Sequence, residues 1–398
     1  MTVGGRIRHH RLTGGRTQAA VASLCGISED YLGKIERGHK NPSQALLHRL
    51  AHELGVQVAA LLTDEPAAAP QAPVTHEASI AQAMMGCGTS RGTEPATPAA
   101  LRERVEAAWR IWQTSAARFT DAEAVLPALI TDIELAGRAR RTGNDAHARR
   151  ETLRIAADLY GLLHSYCRRT GRLDLALVAA DRAIRAAQDA DDPLRIAAGQ
   201  WNLGHVLLSD DRPDAPAEAA EVAALAINQL RHETAHPDIQ AAQGALELVC
   251  AAAAAAQRNW WEARERLEKR AAPLAEQAGE GNVQWTVFGP TNVELHAVSI
   301  EMLAGEASEG LRRADQVDTS QLPSKERQFT FGLQVARCYD LHREDAAVLV
   351  HLLHLEELSP QDLQRSPQAR DMVTALLHRV RPTYQRQVGK LAERLNIV

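Results

Sequence analysis

From Val3 to Leu62 apolar residues recur at helical spacing in five short stretches, broken at Gly14-Gly15, Gly26, Gly38 and Gly55, which predicts five short helices. The pattern then lapses. Residues 63–99 carry Pro66, Pro70, Pro73, Pro95 and Pro98 among Ala, Thr, Gly and Ser, a composition that buries too little apolar surface to offset ordering. This segment reads as a flexible linker with a short helix near Ala78 to Met85. From about Ala100 onward long helical stretches alternate with short breaks, at 101–118, 121–141, 145–170, 173–190, 193–209, 214–233, 237–257, 259–279, 290–304, 323–342, 343–357 and 367–395. That is the spacing of antiparallel helix hairpins stacked side by side. With aromatic residues at 4% and Ala, Leu and Val abundant, the expected class is all-α.

Charge divides along the same lines. Residues 1–62 hold eight Lys/Arg against four acids, a net of +4, whereas the remainder is net −9. A small basic head on an acidic body fits a head that meets a polyanion and a body that does not. The five cysteines are odd in number, widely spaced and never arranged as CxxC, against a disulfide framework or a zinc ribbon, which implies a reducing compartment. No apolar signal core opens the chain, and the run Leu246 to Ala256 is too short and Ala-rich to span a bilayer. A cytoplasmic protein without a membrane partner is expected.

Within the head, Thr17 caps a short helix in which Ala20 lets a second helix cross closely, and Gly26 supplies the turn. Ser28 caps the next helix, Glu29 and Asp30 sit in its first turn, and Gly38 closes it. Ile27, Leu32 and Ile35 form its inward face. The run from Thr17-Gln18 through Gly26-Ile27-Ser28, Tyr31 to Gly38, Pro42-Ser43 and Leu46 to Leu54 resembles the Xre/Cro/phage-repressor family of helix-turn-helix proteins. The resemblance implies a five-helix DNA-binding domain over 1–62, with a recognition helix from about Ser28 to Arg37. It places Glu29, Asp30, Tyr31, Gly33 and Lys34 at base edges, and Gln18, Arg37, His39, Lys40 and Asn41 on the DNA backbone. Such domains read pseudo-palindromic double-stranded operators as homodimers.

Residues 100–398 contain two more specific signals, Trp201-Asn202-Leu203-Gly204-His205 and Gly171 to Ile184 with its spaced alanines; Asn259-Trp260-Trp261-Glu262-Ala263 adds a third. They resemble the tetratricopeptide repeat, in degenerate form, and imply a divergent solenoid for ligand sensing and dimerisation. Trp201, Asn202 and His205, with a second aromatic and amide cluster at Trp285, Phe288 and Asn292, are the candidate ligand-binding residues. The build resembles bacterial signalling-peptide receptors and actinobacterial regulators. It implies a transcriptional regulator whose operator binding responds to a peptide or small molecule. The alternative is a DNA-tethered scaffold that recruits a partner protein.

Enzymatic patterns are weak. His232-Glu233-Thr234-Ala235-His236 satisfies HExxH, but Pro237 disfavours helical geometry at the second histidine. His351, His354 and Glu356 read as an exposed helix face. No P-loop, GxSxG or GxGxxG is found, so no enzyme activity, cofactor, metal or catalytic residue is expected.

Overall fold

The computed structural model describes residues 2–13, 16–54, 56, 61, 76–86, 94–141, 145–234, 236–319 and 322–397. The chain forms two compact units, Met1–Thr75 and His76–Val398. Among the described residues there is no strand, so the all-α expectation holds.

The first unit contains α1 (Val3–Thr13), α2 (Gln18–Leu24), α3 (Glu29–Glu36) and α4 (Gln44–Leu54). Beyond α4 only Val56 and Leu61 are described in this unit, so the fifth expected helix lies largely outside the described residues. The punctuation residues act as their chemistry predicts. Thr17 Oγ1 accepts from the Ala20 amide at 3.2 Å, and Ser28 Oγ from the Tyr31 amide at 3.2 Å. Gly26 and Gly38 take the left-handed φ values of 66° and 79° that let the chain turn off α2 and α3. Ile7, Val21, Leu32, Ile35, Leu50 and Leu61 make the core. Gly4 allows α1 to touch α3 through backbone, since a Cβ there would sit 1.9 Å from the Ile35 carbonyl oxygen.

The second unit opens with α5 (His76–Met84). It lies within the segment expected as a linker, yet Ile80, Ala83 and Met84 are buried in the main core. There follow α6 (Pro98–Thr114), α7 (Arg118–Arg140), α8 (Ala146–Arg169), α9 (Leu173–Asp189), α10 (Pro193–Leu207), α11 (Ala215–Leu230), α12 (Pro237–Ala256), α13 (Trp260–Arg266) and α14 (Ala272–Ala278), the last two joined by a π turn at Leu267–Ala271. The chain continues through α15 (Pro290–Ala304), α16 (Ala307–Ala314), α17 (Lys325–Leu341), α18 (Asp345–Leu358), α19 (Pro360–Arg365), α20 (Pro367–Arg379) and α21 (Pro382–Arg394). The single helix expected over 367–395 is two, because Pro382 lacks an amide hydrogen and holds Arg381 extended at ψ 149°. α16 and α19, of 8 and 6 residues, fall in the breaks between the expected helices.

These helices stack as tetratricopeptide-like hairpins. The first helices α6, α8, α10, α12, α15 and α17 pack successively on one another, and α7, α9, α11, α13, α16 and α18 return behind them. Small residues set the spacing. A Cβ at Gly199 would lie 2.7 Å from Ile184 Cγ1 and one at Gly204 2.8 Å from Val249 Cγ1, while Ala176, Ala179, Ala180 and Ala183 of α9 are buried. α12 is also long and apolar enough to cross a membrane by length and composition, but 67% of that apolar window is buried within the body.

The beginning of the stack meets its end. Arg118 at the start of α7 is completely buried and binds Asp362 of α19 through both Nε, at 2.9 Å, and Nη2. Its Nη1 donates to Glu326 of α17 at 3.1 Å, and its guanidinium lies 4.2 Å from the Trp112 ring centre and 5.0 Å from that of Phe119. Nearby the Phe119 amide donates to Gln361 Oε1, and Gln361 Nε2 to Thr120. Gln113 and Asn282 exchange amide hydrogen bonds across 169 residues of sequence.

Removing one member of a buried ion pair strands the others without solvation. Arg118→Ala is therefore expected to destabilise the body by about 3–5 kcal/mol in urea denaturation, and Arg118→Met with Asp362→Leu to recover part of the loss. Since all six tryptophans lie in this unit, tryptophan fluorescence excited at its red edge reports on it alone. An Arg118→Ala midpoint equal to that of the parent would exclude this cluster as the closure.

Candidate nucleic-acid interface and inner pocket

α3 is presented by a buried charge pair. Arg11 of α1 binds Glu36 at the end of α3 through Nε at 2.6 Å and Nη2 at 2.9 Å, and Gln18 Nε2 of α2 donates to the same carboxylate at 2.6 Å. Burial pushes the Glu36 carboxyl up, but the hydrogen bonds from Arg11 and Gln18 outweigh it and leave the group below the usual range. One carboxylate thus ties three helices together and sets the angle of α3.

Glu29, Asp30 and Lys34 are exposed on α3, and Arg37, His39, Lys40 and Asn41 on the loop after it. Tyr31 is half-buried. Gly33, expected to face outward, is instead buried, with the Arg37 guanidinium over it: a Cβ there would lie 3.2 Å from Arg37 Nη1. Gln18 is half-buried and held by Glu36. Lys34 Nζ reaches Asp30 at 2.6 Å, so the cation and the carboxylate expected at base edges neutralise one another in the free head. Beside α3 opens a depression of about 520 Å³ lined by Arg8, Arg11, Leu12, Gln18, Glu29, Glu36 and Arg37. Arg8 escaped the sequence reading because it belongs to α1, outside the helix-turn-helix pair, although one turn separates it from Arg11.

In the body the first helices of the hairpins converge on an inner pocket. α6 supplies Trp109, Trp112 and Gln113, α8 His164 and Arg168, α10 Trp201 and Asn202, and α17 Glu326 and Arg327; Trp285 comes from the loop before α15. Of the six candidate ligand residues, Trp201, Asn202 and Trp285 line this pocket. Trp285 stacks on Trp109 with ring centres 4.7 Å apart and planes 2° from parallel, and the His205 ring packs edge-on to Trp201 at 4.4 Å. Phe288 is not a ligand wall: it is core, filling the space left by Gly244, where a Cβ would come within 2.0 Å of its ring. Asn292 is buried outside the lining, its Oδ1 without a hydrogen-bond partner. His164, Arg168, Glu326 and Arg327 were missed because each looks like an ordinary polar residue of its own helix. Among the described residues no group of three His, Cys, Asp or Glu is placed to hold a metal; Ala235 of the HExxH run is outside them.

A family model described as a helix-turn-helix domain matches residues 2–62. The immunity repressor protein of Bacillus phage phi105 is 42% identical over 65 residues, 16% of this chain and 45% of the repressor, so the match spans less than half of that relative. An uncharacterised HTH-type transcriptional regulator of Sinorhizobium fredii is 39% identical over 61 residues, 15% of this chain and 79% of the relative. Another, of Bacillus subtilis, is 40% identical over 62 residues, 16% and 90%. The chain belongs to the helix-turn-helix transcriptional regulators. Among solved structures, Bacillus thuringiensis PlcR in complex with the peptide PapR7 and DNA aligns with 87% of the regulator and 98% of its own chain. The TM-score of that alignment is 0.24 and the identity 12%.

The regulator holds His164, fully buried, and His205 and His296, half-buried, as neutral rings in its inner region. Burial, then the charge of Arg168, lowers His164 to about 3; burial, then Arg327, lowers His296 to about 4; burial, then Arg168 and Arg327, holds His205 well below its usual value. With the folded values depressed, the unfolded chain takes up protons first as pH falls. This stability is complete above about pH 7 and is lost as pH drops through 6.5 towards 4 and 3. The tryptophan-detected urea midpoint is expected to fall between pH 7 and 5, with His164 alone contributing about 2 kcal/mol at pH 5. His164→Gln should flatten the slope; an unchanged slope in that variant would show that His164 is not held neutral.

Proposed function

We propose that this protein is a sequence-specific, cytoplasmic regulator of transcription. It reads a pseudo-palindromic operator as a homodimer with α3, and its helical body senses a small molecule or signalling peptide and adjusts operator affinity. The reading of DNA by α3 is supported by the exposed row of Glu29, Asp30 and Lys34 next to the cationic rim of Arg8, Arg37 and Lys40. Arg37, His39, Lys40, Asn41, Gln18 and Arg8 fix the head on phosphates, while Lys34, released from Asp30, donates to a guanine edge and Glu29 or Asp30 accepts from a cytosine amino group. Tyr31 adds an apolar edge, and Gly33 contributes close approach only through its neighbours.

The observation that carries the sensing role is the inner pocket. It is enclosed, lined by four tryptophans and furnished with polar groups from helices far apart in sequence. A ligand there bridges the two ends of the stack and biases its closure, a coupling of about 1–3 kcal/mol in typical allosteric proteins. A different observation favours the scaffold reading. An open groove of about 670 Å³ over α7, α8 and α9 presents six arginines, among them Arg141 and Arg149, against Glu134 and Asp189, a surface suited to an acidic partner protein.

Two measurements test the DNA roles. Lys40→Ala is expected to weaken binding to every duplex and to reduce the salt dependence by about one phosphate contact. Lys34→Ala should relax preference at one base pair, by about tenfold, with little change in salt dependence. Equal losses on all duplexes from both variants would reverse the assignment. For sensing, operator affinity titrated with small-molecule and peptide fractions of a cell extract should shift about fivefold or more; an affinity that no fraction moves rejects the sensor.

A further inference from the structure

The inner pocket holds more positive charge than the protein neutralises. Arg118, Arg168 and Arg169 converge on the single carboxylate of Glu326, with Arg327 next to it in sequence. Asp362 accepts from Arg118 and from the Ser359 hydroxyl at 2.6 Å, so that among the described residues Arg118 is its one ion-pair partner. Arg168 Nη2 stands 3.7 Å from Glu326, beyond a hydrogen bond, and its Nε has no acceptor. Among the described residues no carboxylate lies within ion-pair distance of Arg327. Its polar contact is one Nη2 bond of 3.4 Å to the Thr286 carbonyl, and its guanidinium sits 5.8 Å from the Trp201 ring centre. His164, 1% exposed on the pocket wall, makes no well-formed hydrogen bond with either nitrogen. Cations and donors withdrawn from water without acceptors, partly for Arg168 and Arg327 and fully for His164, are costly unless something completes them.

We propose that this pocket binds an oxyanion group, a carboxylate or phosphate carried by a small molecule, between Arg168 and Arg327 with His164 beside it. The free volume is about 30 Å³, room for a couple of waters or a compact head group and not for a whole drug-sized ligand. The remainder of the molecule enters where Trp285 now stacks on Trp109. The loop that carries Trp285 is suited to yielding: Gln284, Trp285 and Val287 hold positive φ values of 47°, 58° and 53°, a conformation that side chains other than glycine adopt under strain. Arginine keeps its charge under burial, so the site remains cationic while the buried histidines stay neutral, and the neutral His164 donates one N–H to the bound group. Two guanidiniums converging from α8 and α17 match the fork geometry of carboxylate and phosphate.

This inference rests on the sensing role and has its own readout. The full-length protein is melted at constant ionic strength, followed by tryptophan fluorescence, with inorganic phosphate, with benzoate, and with benzamide as the neutral isostere. Benzoate or phosphate at up to 50 mM, roughly a hundredfold over a submillimolar Kd, is expected to raise the melting temperature by several degrees, and benzamide not to. A shift from phosphate alone identifies a phosphate head group, and one from benzoate alone a carboxylate. Arg327→Gln should abolish the shift and, having removed surplus positive charge, melt no lower than the parent without anion; Arg327→Lys should retain a shift. Arg168→Gln provides the second, independent loss. Equal shifts from benzoate and benzamide, a shift surviving both glutamine variants, or no shift from either anion overturns the oxyanion site. If anions bind as described but leave operator affinity unchanged, the site stands and sensing falls; if extract fractions move operator affinity while no anion stabilises the protein, sensing stands and the oxyanion site falls.

Discussion

A fully buried guanidinium is a demanding thing to fold around, and the body of this protein is organised by the need to satisfy Arg118. Its five donors cannot be left dry, so Asp362 and Glu326, from helices more than 200 residues further along the chain, must be brought to it, and Trp112 and Phe119 cover its faces. A stack of helix hairpins otherwise has contacts only between neighbours and remains open at both ends. Here the first hairpin is joined to the last third of the stack, and the first helices of successive hairpins are turned onto a common interior. The aromatic and cationic pocket exists because of that closure, since its walls come from α6, α8, α10 and α17.

The closure also explains why Glu326 is overcommitted. A single carboxylate serving Arg118, Arg168 and Arg169 cannot give each guanidinium a full fork; Arg118 takes its fork from Asp362 and one bond from Glu326 Oε2, and Arg169 and Arg168 share Oε1. Burial and then the neighbouring charge of Arg169 press Arg168 below the usual guanidinium range, which expresses the same shortage of acceptors. Buried charge of this kind is a poor way to gain stability. It is a good way to hold a site ready for a group of opposite charge.

The head uses a smaller version of the same device. Arg11, Glu36 and Gln18 fix α1, α2 and α3 around one buried carboxylate, while the Gly4 contact lets α1 lie against α3 with no side chain between them. The exposed face of α3 is thereby left free of structural duties except for the Lys34–Asp30 pair, which is solvent-exposed and easily broken. Stability is placed at the end of α3 that points inward, and the exposed charges of Glu29, Asp30 and Lys34 at the side that points out.

Local chemistry was legible in the chain itself. Thr17, Gly26, Ser28 and Gly38 marked the ends of α2 and α3, because caps and left-handed turns depend on the residue that makes them and on its nearest neighbours. The hairpin rhythm from Ala100 onward followed from helical periodicity, and Gly204 with the alanines of α9 announced close helix packing before any partner was known. Only tertiary structure decided which polar residues matter. Gln18 serves Glu36, Phe288 fills the space at Gly244, and His164, Arg168 and Arg327 meet in one pocket, since each of these depends on a partner far along the chain. A sequence records the period of a helix but not the curvature of a stack. Whether residues 118 and 362 touch is settled by many small rotations between hairpins, summed over more than 200 residues.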